Sequence, residues 1–125
     1  MPNESDELKS LKARVKAEID GYVYSLPENA IGNPWPSDKV AGHLAALKRA
    51  LVEPYWTEVE IRDTFEQVKL NEGPRRRCVV VADNRAGYLL LWDPDCHDFF
   101  LAQKVNGALR SFGVRGDAVG CFFAI

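Results

Sequence analysis

Five short apolar runs recur in the second half of the chain, at Cys78–Ala82, Tyr88–Trp92, Phe99–Ala102, Leu109–Phe112 and Val119–Ile125, with a turn-forming segment between each pair. Runs of this length at such regular spacing specify an antiparallel meander. Several are apolar on both alternating faces. Along 88–92, Tyr88, Leu90 and Trp92 point one way and Leu89 and Leu91 the other; along 119–123, Val119, Cys121 and Phe123 oppose Gly120 and Phe122. A sheet of that kind needs cover on both sides. The rest of the 125 residues holds only enough helix to cover one. The second face is expected either to pack on another subunit or to curve around an apolar cavity.

Upstream, Leu8, Leu11, Val15, Ile19, Tyr22, Val23 and Leu26 fall at helical spacing, with Lys9, Lys12, Arg14, Lys16, Glu18 and Asp20 on the opposite side. This pattern predicts an amphipathic helix over about 5–26, ended by Pro27. Residues 27–36 hold three prolines and a glycine and form a loop. Trp35, between two of those prolines, is stiff enough to clamp the helices together or to present an aromatic surface. A second helix is predicted over 37–52, N-capped by Ser37, with Val40, Leu44, Leu47 and Leu51 as its buried stripe and Glu53-Pro54 as its stop.

From 55 to 70 the chain alternates: Thr57, Val59, Ile61, Asp63 and Phe65 share one face, and Glu58, Glu60, Arg62 and Thr64 the other. That is the period of a strand with a wet, charged side. Further strands are predicted at about 76–82, 87–92, 98–104, 108–114 and 119–124. Helical spacing also runs through Val105, Ala108, Leu109 and Phe112, but Asn106-Gly107 between two apolar runs is the stronger signal, a hairpin. The expected fold class is α+β, with two N-terminal amphipathic helices packed on one face of an antiparallel meander of five to six strands. A chain of this length suits a single domain, 1–125.

The formal charge is −2 and both halves are nearly balanced, so the clustered cationic footprint of nucleic-acid binding is missing. Arg75-Arg76-Arg77 is expected to be a solvated start to a strand. Three cysteines with no CxxC spacing argue against a disulfide framework and against zinc, and fit a reducing compartment. The acidic N-terminus and the lack of an apolar stretch of about 20 residues lead to the expectation of a cytoplasmic protein with no membrane role. No phosphate loop, dinucleotide fingerprint, hydrolase elbow or HExxH is present, so no cofactor and no metal are expected.

Candidate chemistry is sparse. Asp93, Asp95, Cys96, His97 and Asp98 place carboxylate, thiol and imidazole in one short stretch, the groups that nucleophilic or metal chemistry requires. Neighbours in a turn point apart, however, and carboxylates there commonly cap local amides. The catalytic candidates are Asp63, costly on an inward strand face unless paired or poised for function, His43 beside the apolar stripe of the second helix, and His97. The binding candidates are Trp35, Trp56, Tyr88 and Trp92. Arg115-Gly116-Asp117 is expected to be a turn.

Two function classes follow. The first is a non-enzymatic binding protein, adaptor-like or toxin-neutralising, that holds a protein partner on an open sheet face or on its aromatics and is itself a homodimer. Its acidic strand face, with Glu58, Glu60 and Glu66, would steer a basic partner. The second is a pocket protein, carrier or enzyme, with a small-molecule ligand in a curved-sheet cavity and Asp63 at its base.

Overall fold

The structure, a computed structural model, describes residues 4–22, 37–62, 64–70 and 73–125. Trp35, Asp63 and the proline-rich loop lie outside the described residues. The elements in order are α1 (Glu4–Asp20), α2 (Ser37–Ala50), β1 (Leu51–Glu60), α3 (Phe65–Leu70), β2 (Arg75–Asp83), β3 (Tyr88–Asp93), β4 (Asp98–Val105), β5 (Ala108–Gly116) and α4 (Ala118–Phe123). The chain is α+β, two helices leading into a five-strand sheet whose sequential neighbours are all antiparallel, with α3 between β1 and β2 and α4 after β5.

The sheet closes on itself in the order β1-β2-β3-β4-β5. A meander with an odd number of strands brings its first and last strands together running the same way, and β1 and β5 do meet in parallel, with Glu60 opposite Arg110. Curvature enters where the register slips, between Leu51 and Tyr55, Val80 and Ala82, and Phe100 and Ala102. Such irregularities bend and twist a strand locally.

Closure answers the question of the second face. Val59, Ile61, Cys78, Val80, Leu89, Leu91, Phe100 and Ala102 form one buried cluster inside the barrel. The alternate residues Val79, Val81, Leu90, Trp92, Phe99 and Leu101 face outward and pack with Leu11, Val15 and Ile19 of α1, Leu47 and Ala50 of α2, and Ala118, Val119, Cys121 and Phe122 of α4. The second face is therefore a filled interior and not an open surface.

Four local expectations are corrected. The first helix stops at Asp20, where Gly21 and Tyr22 wind out through amide bonds to Ala17 and Ile19. The second helix stops at Ala50 and β1 starts at Leu51, four residues sooner than expected; Pro54, which has no ladder donor, sits in the stretch where the register shifts. The strand predicted over 55–70 ends at Glu60 and is followed by α3. There the Thr64 hydroxyl accepts from the Gln67 amide and the Gln67 side chain accepts from the Thr64 amide, both at 3.1 Å, a capping box that the alternating pattern conceals. Finally, 118–123 is a helix and not a sixth strand. Asp117 caps it, its carboxylate accepting from the Gly120 amide, so Arg115-Gly116-Asp117 ends β5 and begins α4. The Asn106-Gly107 hairpin is observed, with both residues at positive φ (52° and 81°), as a type I′ turn requires.

Candidate functional site

The two-residue alternation that fills the barrel continues to its last layer, where it places charges instead of hydrocarbons. Two residues before Cys78 on β2 stands Arg76; two after Leu91 on β3, Asp93; two before Phe100 on β4, Asp98; and Arg115 on β5 lies opposite Phe100. These four close one end of the barrel. The Asp93 carboxylate is fully buried, with Arg76 Nη1 at 2.5 Å and Arg115 Nη2 at 3.1 Å, while Arg115 Nη1 donates to Asp98 at 2.8 Å. The other Asp93 oxygen accepts from the amides of Asp95 (2.9 Å) and Cys96 (3.3 Å), which folds the 94–97 turn over the charge. Burial opposes ionisation of Asp93, but those two amides and the Arg76 guanidinium outweigh it and hold its pKa below the ordinary carboxylate value. Arg76 is thus a partner in the barrel's end layer, which corrects the expectation of a solvated run at 75–77.

Beside this layer, outside the barrel, lies a cleft of about 240 Å³ between α1 and the 94–97 turn, lined by Glu7, Ser10, Leu11, Arg14, Trp92, Pro94 and His97. Trp92 forms its floor. The Arg14 guanidinium stands 4.7 Å from the indole centroid and 5.6 Å from that of Phe99. The His97 ring lies nearly parallel to the indole, 11° between planes and 6.2 Å between centroids. His97 reaches this position in a left-handed backbone conformation, φ 56°, which a non-glycine residue adopts at a cost. Arg14 thus lines the cleft with its guanidinium stacked on the Trp92 ring, and its charge also acts on Glu18 one helical turn away.

The structure thus brings together two sequence-derived candidates, Trp92 and His97, and among the described residues places His43, Trp56 and Tyr88 elsewhere. His43 is half-buried on α2, edge-on to Phe123 at 5.3 Å, in a packing position. Trp56 is half-buried on β1 under Arg77, whose guanidinium is 4.8 Å from the ring centroid; the indole Nε1 is buried with no partner among the described residues. Tyr88 packs edge-on against Phe112 at 6.0 Å. The supposed acidic face also divides. Glu58 pairs with Arg75, Glu60 with Arg62 and Arg110, and Glu66 belongs to α3.

The 93–98 stretch offers little chemistry of its own. Asp93, Cys96 and Asp98 bring one ligand atom each to within 4.8 Å of one another. Arg76 and Arg115 already occupy both carboxylates, so a divalent ion would have to displace two guanidinium groups. The donor set does not fit a metal. Cys96 is exposed, its sulfur 3.8 Å from Arg76 Nη1, whereas burial pushes the Cys78 and Cys121 thiols up to about 12. All three are free. Sequence reasoning missed Arg14, which the helical pattern assigns to the wet side of α1. It also missed the end layer, although the period-2 continuation from Leu89 and Leu91 to Asp93 was there to be followed.

Comparison with known proteins adds one likeness. No protein-family model matches the chain, and no solved structure matches it. A probable phosphoribomutase of Schizosaccharomyces pombe (strain 972 / ATCC 24843) is 33% identical over 131 aligned positions, which take in 98% of this chain. The chain spans 19% of that protein's length, so the similarity is to one segment of a much longer polypeptide.

Proposed function

We propose that the chain is a non-enzymatic binding module, adaptor-like and cytoplasmic, that holds a protein partner in the Trp92 cleft. The observation that carries this is Arg14, an exposed cation stacked on the Trp92 ring in a cleft that Leu11 and Pro94 also line. Such a surface suits a partner segment that pairs an apolar or aromatic side chain with a carboxylate, since the stacked guanidinium keeps its in-plane donors available. The charged groups at the barrel end are committed to one another, which supports binding over catalysis. The likeness to a segment of a probable phosphoribomutase fits a unit that works beside a larger polypeptide, in the same chain or in another. A homodimer is not required by this reading, because the face that called for one is the barrel interior. Against a small-molecule cavity inside the curved sheet stands the packed interior cluster that includes Val80, Leu91 and Phe100.

The test is photo-cross-linking from a reactive group at Ser10, on the cleft rim. A discrete adduct should form that excess unlabelled chain suppresses and that an Arg14→Ala chain, altered only at an exposed side chain, suppresses poorly. Equal suppression by both chains, or no discrete adduct, overturns the reading.

A further inference from the structure

The opposite end of β3 carries a second cleft with different chemistry. Its six residues separate the 94–97 turn from the 84–87 hairpin, so the two sites lie on the order of 20 Å apart. Here the last turn of α2, the hairpin between β2 and β3, and α4 enclose about 310 Å³ lined by Ala46, Arg49, Ala50, Asp83, Asn84, Arg85 and Phe122. Ala46, Ala50 and Phe122 supply the apolar part of its lining, and Arg49 and Arg85, both exposed, line it from two different elements. No described residue forms an ion pair or side-chain hydrogen bond with either guanidinium, whereas the neighbouring Lys48 is committed to Asp20 at 3.1 Å.

The hairpin is built to hold Arg85 in place. Arg85 has φ 58°, a left-handed conformation that glycine or asparagine would adopt at lower cost. It is held there because the Asp83 carboxylate accepts from the Arg85 amide at 2.7 Å and the Asn84 side-chain oxygen accepts from the amides of Ala86 and Tyr88, at 2.8 and 3.0 Å. Those bonds occupy the oxygen of Asn84 and leave its NH₂ as a further donor. A long cationic residue kept where a small one folds more easily points to a use for the cation.

We propose that this groove binds a small phosphomonoester dianion through Arg49 and Arg85, with the short carbon skeleton of the ligand resting on Ala46, Ala50 and Phe122. Two planar forks approaching from separate elements match a tetrahedral group with three terminal oxygens, whereas a carboxylate offers two oxygens in one plane and is satisfied by a single fork. Asp83 is the opposing charge in the groove, leaving a net of one positive charge among the lining residues.

The experiment is a titration of the ¹⁵N-labelled full chain with inorganic phosphate, glycerol 3-phosphate and acetate, followed by amide shifts. The expected result is saturable change confined to 46–50 and 83–86, with glycerol 3-phosphate and phosphate binding more tightly than acetate. Arg49→Gln and Arg85→Gly should each weaken binding by at least about tenfold, the order of one charge-assisted hydrogen bond, with no fall in melting temperature. Asp83→Asn, which keeps an acceptor for the Arg85 amide, should strengthen it. Shifts spread over all exposed lysines and arginines, equal response to acetate, or unaltered affinity in Arg85→Gly overturns the proposal.

Discussion

Asp93 shows how one residue can be structural although its neighbours look chemical. Its carboxylate is fully buried, which opposes ionisation, yet the Asp95 and Cys96 amides and the Arg76 guanidinium make ionisation the favoured state. Asp93→Asn keeps an acceptor for the turn amides and loses the charge facing Arg76 and Arg115. Since these arginines retain Asp95 and Asp98, the destabilisation should fall at the lower end of the about 3–5 kcal/mol seen when a buried pair loses a partner. The pH dependence has a definite sign. A carboxyl whose folded pKa is depressed contributes stability above its unfolded value of about 4, and that contribution disappears as pH falls through the lower folded value. Urea midpoints between neutrality and strong acid should therefore drop for the native sequence and drop less for Asp93→Asn; parallel curves would show that Asp93 is not the group. The thiols act at the other extreme. Cys78 and Cys121, raised to about 12 by burial, contribute stability that is complete below the unfolded thiol value of about 8.5 and is lost as pH climbs toward 12. A thiol reagent at neutral pH should label Cys96 alone in the folded chain and all three cysteines in denaturant. Rapid labelling of Cys78 in the fold would contradict the packed interior.

At the level of elements, what was legible in the sequence followed from periodicity, and what was not followed from side chains that bond to the backbone. The strands around Val80, Leu90, Leu101 and Leu109 and the turn at Asn106-Gly107 could be recognised because each depends on local pattern and turn chemistry. The two short helices could not, since α3 depends on the reciprocal Thr64–Gln67 bonds and α4 on Asp117, each able to start a helix in a stretch whose alternation suggests a strand. Glu18 of α1 adds a tertiary contribution that no local pattern reveals, accepting from the Val119 amide at 2.7 Å. Candidate residues fared likewise. Trp92 and His97 are close in sequence and could be named, while Arg14 reaches the same cleft from 78 residues away. One junction invites a direct test. The Ile61 amide donates to Pro74 at 2.7 Å, and a β-carbon on Gly73 would collide with the Ile61 carbonyl. Gly73→Ala should force the β1 and β2 ends apart and cost more than the about 1 kcal/mol typical of a point substitution, read as a lowered urea midpoint. An unchanged midpoint would mean that this contact relaxes freely.

At the scale of the whole molecule, a sheet with two apolar faces in a short chain has solved its covering problem by curling, so the same five strands serve two cores at once. Phe100 points into the barrel and its neighbours Phe99 and Leu101 point out to the helices, which means that neither core can dissolve while the other keeps its strands in register. Closure itself is thin: the parallel contact between β1 and β5 has Glu60 opposite Arg110, reinforced by the buried Arg62, which pairs with Glu60 at 2.7 Å and whose amide donates to Ser111 Oγ at 2.7 Å. Unfolding should accordingly be a single transition, with the helical signal and the tryptophan signal changing together. Phe100→Ala, which empties the interior, is expected to cost about 3–5 kcal/mol, and Leu47→Ala, which empties the helical side, about 2–5 kcal/mol. Both should lower that one transition without splitting it. If Leu47→Ala instead released the helices in a separate step, with the barrel melting later at its original midpoint, the barrel would be an autonomous unit and the shared-strand argument would fail.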